Sequence, residues 1–159
     1  MWHLKKTPVK SILTILFLSA AVLSAHAQAI ESPIQWSFRA ESAGEGQYDL
    51  SFIADIAPGW YLYSQHLGDD GPIPTTISFN ENGNYQLQGA TEEAGEKVEG
   101  MDALFGMHIV KFKKQAIFTQ RIKAGDELRM VSGYIEFMSC DEEKCLPPRE
   151  IEFTFSFEE

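Results

Sequence analysis

The sequence predicts an all-β chain, a two-sheet antiparallel sandwich of about eight or nine short strands. Three observations carry this expectation. Apolar and polar residues alternate at period two over most of the chain, as in strands with one buried face. Turn formers punctuate the runs at Pro58-Gly59, Asp69-Asp70-Gly71-Pro72, residues 80–84 and Ala124-Gly125-Asp126. Beyond residue 27, no stretch shows apolar residues at the three- and four-residue spacing of a helix.

The runs follow in order. Residues 34–40 form the first. Tyr48, Leu50, Phe52, Ala54 and Ile56 share one face of the second, with Asp49, Ser51 and Asp55 opposite. Shorter runs follow at 60–65, 75–79, 85–90, 107–113, 116–122 and 127–138. The last has Ile151, Phe153, Phe155 and Phe157 against Glu152, Thr154 and Ser156. Within 127–138 the parity changes: Leu128 and Met130 oppose Ile135 and Phe137, with Gly133 between. This predicts a β-bulge at Gly133 that re-aims the residues leading to Cys140.

The first 27 residues read as an export signal. Lys5, Lys6 and Lys10 give a basic start, residues 12–23 are apolar and too short to span a bilayer, and Ala25-His26-Ala27 supplies a cleavage site before Gln28. An uncleaved anchor is the alternative. No cysteine follows the apolar run to take a lipid. Residues 28–159 are then one secreted domain, long enough for its own core. Three of the 13 basic residues leave with the signal, so 10 basic face 23 acidic, a net charge of −13. That surface repels phosphate backbones and speaks against nucleic-acid partners. Export leads to an oxidising compartment, where thiols can pair.

Cys140 and Cys145 are the only cysteines, five positions apart between the last two predicted strands. Their place between these strands predicts a position near the surface at one end of the sandwich. A structural staple is one reading, but closing so small a loop stabilises by only about 2 kcal/mol. A reversible redox pair is the other, and the residues alone leave both open. Asp141, Glu142 and Glu143 disfavour thiolate, with Lys144 offsetting part of the effect. A metal set can be written from Cys140, Cys145, His66 and His108 with Met101, Met107 and Met138, but no spacing supports it and packing is the preferred role for the methionines.

Three segments carry a family resemblance. Residues 134–148 hold a tyrosine, two close cysteines and Pro147-Pro148. Gly59-Trp60-Tyr61-Leu62-Tyr63 is an aromatic strand, and Asp102-Ala103-Leu104-Phe105-Gly106 is an acidic, aromatic, Gly-ended loop. In this order, over residues 32–157, they resemble the N-terminal periplasmic domain of the thiol:disulfide interchange protein DsbD. The resemblance implies an immunoglobulin-like sandwich that works as a protein-disulfide reductase component without a cofactor. It implies a thioredoxin-like electron donor fed by a membrane electron transporter. It implies protein clients with disulfides, such as isomerases or cytochrome-maturation proteins. By the resemblance, Cys145 attacks the client and Cys140 resolves the mixed disulfide. Tyr61 and Tyr63 flank the pair, Asp102 is an acid near the sulfurs, and Leu104, with Phe105, caps them.

The chain departs from the pattern in three places. Its cysteines are closer together, Ala103 stands where a second acid is expected, and Leu104 replaces an aromatic cap. The chain ends at Glu159, so the transporter and donor are expected as separate proteins. Each motif also has a plain structural role: strand packing for Tyr61 and Tyr63, a solvated turn for Asp102, a core anchor for Leu104-Phe105, a strand break for Pro147-Pro148. The alternative function is a β-sandwich binding module whose disulfide stays closed.

Overall fold

A computed structural model describes residues 32–68, 70–81 and 83–157. The expected export signal lies outside them. The described residues form an all-β sandwich. Strands β1 (Ile34–Gly44), β2 (Gln47–Ile56), β3 (Tyr61–Tyr63), β5 (Tyr85–Asp102), β6 (Met107–Ala124) and β8 (Ser139–Cys140) make one sheet. Strands β4 (Thr76–Phe79), β7 (Met130–Phe137) and β9 (Arg149–Ser156) make the other. All the named pairings are antiparallel.

The core forms where the alternating faces meet. Leu50, Phe52, Ala54 and Ile56 of β2 are buried, as are Val131, Ile135 and Phe137 of β7 and Phe153 and Phe155 of β9. Phe52 sits at the centre of an aromatic cluster, with the Phe153 ring 4.7 Å away and the Phe155 ring 5.4 Å away, both edge-on. Edge-to-face rings at this spacing add to the area they bury.

Two differences from the sequence expectation bear on the site. The runs at 107–113 and 116–122 are one strand, β6, bent at Lys114 (φ +63°). Before the bend β6 pairs with β3, and after it with β2. Strand β5 continues past residue 90 to Asp102, through an irregularity between Gln88 and Glu92. Buried Gln120 fills that gap, accepting a 2.8 Å hydrogen bond from Thr91 Oγ1. Residues 91–100 carry Glu, Gly, Ala and Lys without apolar alternation. An edge strand needs little of it, which is why the pattern missed this stretch.

The expected bulge at Gly133 is not there. Register runs unbroken from Met130↔Ser156 to Phe137↔Arg149. Val131, Gly133, Ile135 and Phe137 form one continuous buried face, while Met130 is exposed and Leu128 precedes the strand. Glycine is required for a different reason: a Cβ at residue 133 would run into the Ser78 carbonyl and lie 2.6 Å from the Phe153 ring. The apparent change of parity arises because Leu128 lies before the strand and Met130, its first residue, faces outward.

Candidate functional site

Strand pairing gathers the site on one face. Tyr61 lies opposite Cys140, and Tyr63 opposite Lys111. Directly opposed residues share a sheet face, as do alternate residues of a strand. Met107, Ile109 and Lys111 of β6 therefore face the same way as Tyr61, Tyr63 and Cys140, and so does Asp102, which is opposite Met107. Leu62 and Phe112 point the other way, into the sandwich core. The site is thus built on the outer face of the larger sheet.

A second, smaller core covers that face. Tyr63, Ile109 and Cys140 are buried in it, with Leu67, Phe105, Met107, Met138 and Cys145 packed against them. The two cysteines form a disulfide. They pair across a tight hairpin, flanked by hydrogen bonds from Asp141 N to Lys144 O (2.9 Å) and from Leu146 N to Ser139 O (2.9 Å). This is the non-hydrogen-bonded position, where facing side chains come closest. The Asp141 side chain shapes the turn by accepting from Glu143 N (2.9 Å) and Lys144 N (2.8 Å). These two amides hold its carboxyl below the ordinary value. Pro147 and Pro148 are exposed between the hairpin and β9.

The two sulfurs have unequal surroundings. Cys140 is fully buried, whereas Cys145 is only partly so. An incoming group therefore meets Cys145 first.

The turn between β5 and β6 packs Phe105 against the same small core. Asp102 anchors it: Oδ1 accepts from Leu104 N (3.0 Å), and the Asp102 carbonyl accepts from Gly106 N (2.8 Å). Gly106 adopts φ +65°, a conformation glycine reaches at little cost. The turn points Phe105 inward, its ring edge-on to Tyr63 at 6.1 Å. Leu104 is 42 % exposed and is not among the side chains packed on the cysteine cluster. Of these two residues, Phe105 is the one packed on the small core that holds the cysteines.

Asp102 is not a solvated turn residue. It is buried, and its Oδ2 accepts from Lys111 Nζ at 2.7 Å. Burial works to raise its pKa, but the Lys111 ammonium and the Leu104 and Phe105 amides outweigh burial and hold the carboxyl below its ordinary value. A carboxylate held this way is a poor proton acceptor for a thiol at neutral pH. The same ammonium lies 4.1 Å over the Tyr61 ring, a cation–π contact. Lys111 was missing from the sequence reading. Its signal was a lysine in step with Met107 and Ile109 in the 107–113 run.

Behind the site, Glu93 of β5 holds the end of β3, accepting from Ser64 Oγ (2.7 Å) and Gln65 N (3.0 Å). His66 and His108 are exposed, His108 reaches Glu99 only at 3.9 Å, and no three metal-ligating side chains gather among the described residues. Met101 is also exposed, while Met107 and Met138 pack beside the disulfide.

A sandwich with a partly exposed disulfide in a hairpin, packed in a small aromatic core, defines a class: an immunoglobulin-like domain with a disulfide at its edge. The family model for the N-terminal part of the thiol:disulfide interchange protein DsbD matches residues 27–156. The chain belongs to that family. Among solved structures, the chain is similar to the reduced DsbD N-terminal domain of Neisseria meningitidis, with 19 % identity and a TM-score of 0.54 over 79 % of this chain and 86 % of that one. It is also similar to the N-terminal periplasmic domain of ScsB from Proteus mirabilis, with 17 % identity and a TM-score of 0.60. That match covers 79 % of this chain but 47 % of the ScsB chain, so this chain spans about half its length. At these identities the structures establish the shared fold. The search of curated proteins finds no match.

Proposed function

We propose that this domain works by dithiol–disulfide exchange through Cys140 and Cys145 in the periplasm. It takes electrons from a thioredoxin-like protein, supplied in turn by a membrane transporter, and reduces disulfides in client proteins. The observation that carries the reading is the asymmetry of the pair: Cys145 is partly exposed and Cys140 is buried, in the same small core that Phe105 packs against. In the reduced domain, the Cys145 thiolate attacks a client sulfur and forms a mixed disulfide. Cys140 then attacks Cys145, releases the client thiolate, and re-forms the internal disulfide. Movement of the Phe105 turn would admit the client and close again behind it.

The Cys140→Ala variant tests this. It lacks the resolving thiol, so a mixed disulfide through Cys145 should accumulate in cells and be identified by mass spectrometry. A variant that captures no protein would sink the reading. The midpoint potential separates exchange from a permanent staple, because structural disulfides lie below about −300 mV.

A further inference from the structure

Tyr63 is fully buried, and its hydroxyl has no hydrogen-bond partner. An unmet buried hydroxyl costs stability, and replacing it with a hydrogen would relieve that cost. Tyr63 shares its small core with Cys140, which is equally buried. The side chains packed around them, Ile109, Leu67, Phe105, Met107 and Met138, carry no O–H or N–H group. Lys111 is committed to Asp102, and Thr75 Oγ1 to the Tyr63 carbonyl at 2.6 Å.

Opening the disulfide changes what this pocket must hold. A thiolate of a dithiol protein reaches Cys145, the more exposed sulfur, and bonds to its Sγ. The Cys140–Cys145 bond breaks, and its electron pair leaves on Cys140 Sγ. That anion forms in a buried site, where an unsolvated charge is costly. We propose that the Tyr63 hydroxyl is a catalytic hydrogen-bond donor to the Cys140 thiolate that forms when the disulfide opens. The assignment builds on the exchange reading, since the thiolate appears only if the bond opens. With the disulfide closed, no sulfur meets the hydroxyl at hydrogen-bonding geometry; opening the bond frees Cys140 Sγ to turn toward it, and the hydroxyl then gains a charged partner. The proton stays on Tyr63: burial, with the Asp102 charge adding, pushes its phenol well above the ordinary tyrosine value. The charged groups around the pocket are the Asp102–Lys111 pair and the exposed turn from Asp141 to Lys144, and the test leaves all of them in place.

In the Cys145→Ala protein, the lone Cys140 thiol is titrated by thiolate absorbance with and without Tyr63→Phe. Loss of one hydrogen bond to a charged group should lower the thiolate fraction at a given pH about tenfold. A Tyr63 that merely packs would leave the titration unmoved, and that result overturns the proposal. The second measurement keeps both cysteines: opening of the disulfide by dithiothreitol should be about tenfold slower in Tyr63→Phe, and equal rates overturn the proposal as well. Phenylalanine keeps the ring against Phe105, so urea unfolding should stay cooperative. Both measurements use purified protein and no partner. They can therefore succeed even where the Cys140→Ala trap fails, which would count against the client reading alone.

Discussion

Lys111 Nζ donates to Asp102 Oδ2 at 2.7 Å, and the Asp102 side chain is only 3 % exposed. The pair joins β6 to the turn that carries Phe105. Removing one partner of a buried pair leaves an uncompensated charge and typically costs more than the pair contributes. Lys111→Met should therefore destabilise the domain by about 3 kcal/mol in urea denaturation. Lys111→Met combined with Asp102→Leu should recover part of that loss. A double variant no better than the single one would show that the charge itself is not the cause.

Asp102 also sets an acid limit. Its folded pKa lies below the ordinary value of 3.8. A group depressed on folding contributes stability that is complete above its unfolded pKa and is lost as pH falls through the folded one. The gap in unfolding free energy between the wild type and Asp102→Asn should thus be widest near neutral pH and shrink below about pH 4. Chemical denaturation across that range checks this, and a gap that does not change with pH would exclude Asp102 as its source.

Phe105, and not Leu104, should guard the sulfurs. In the reduced protein, Phe105→Ala should speed alkylation of Cys145 by iodoacetamide severalfold, since thiol reactivity follows access. Leu104→Ala should change it little. The comparison is internal to one turn, so a general loosening of the fold would show in both variants. Equal acceleration would place the cap on the turn as a whole.

Gly133 should tolerate no side chain. An added Cβ meets the Ser78 carbonyl, which is backbone and cannot swing aside, and the Phe153 ring. Gly133→Ala should cost about 3 kcal/mol, at the upper end for overpacking. Thermal unfolding measures it. Gly83, with nothing within 4 Å of a built Cβ but a φ of +77°, should cost about 1 kcal/mol when changed to alanine, from backbone conformation alone.

Much of the fold was legible because its information is local. Period two at Tyr48–Ile56 and at Ile151–Phe157 needs only the neighbours of each residue, and those strands stand where the alternation put them. The cysteine pair, Tyr61, Tyr63 and the Asp102 loop were readable as motifs for the same reason. What the pattern missed was set by partners distant in sequence. The extension of β5 to Asp102 depends on pairing with β6, and the role of Gly133 depends on Ser78 and Phe153.

By itself, then, the sequence determined that this is a β-sandwich with one close cysteine pair beside an aromatic strand and an acidic loop. Alternation and turn chemistry act over a few residues and survive being read one position at a time. Only the tertiary structure decided that Lys111 neutralises Asp102, that Phe105 turns inward while Leu104 faces water, and that Tyr63 carries an unmatched hydroxyl beside buried Cys140. Burial and hydrogen bonding across strands are properties of register and packing, and these exist only once distant segments have met.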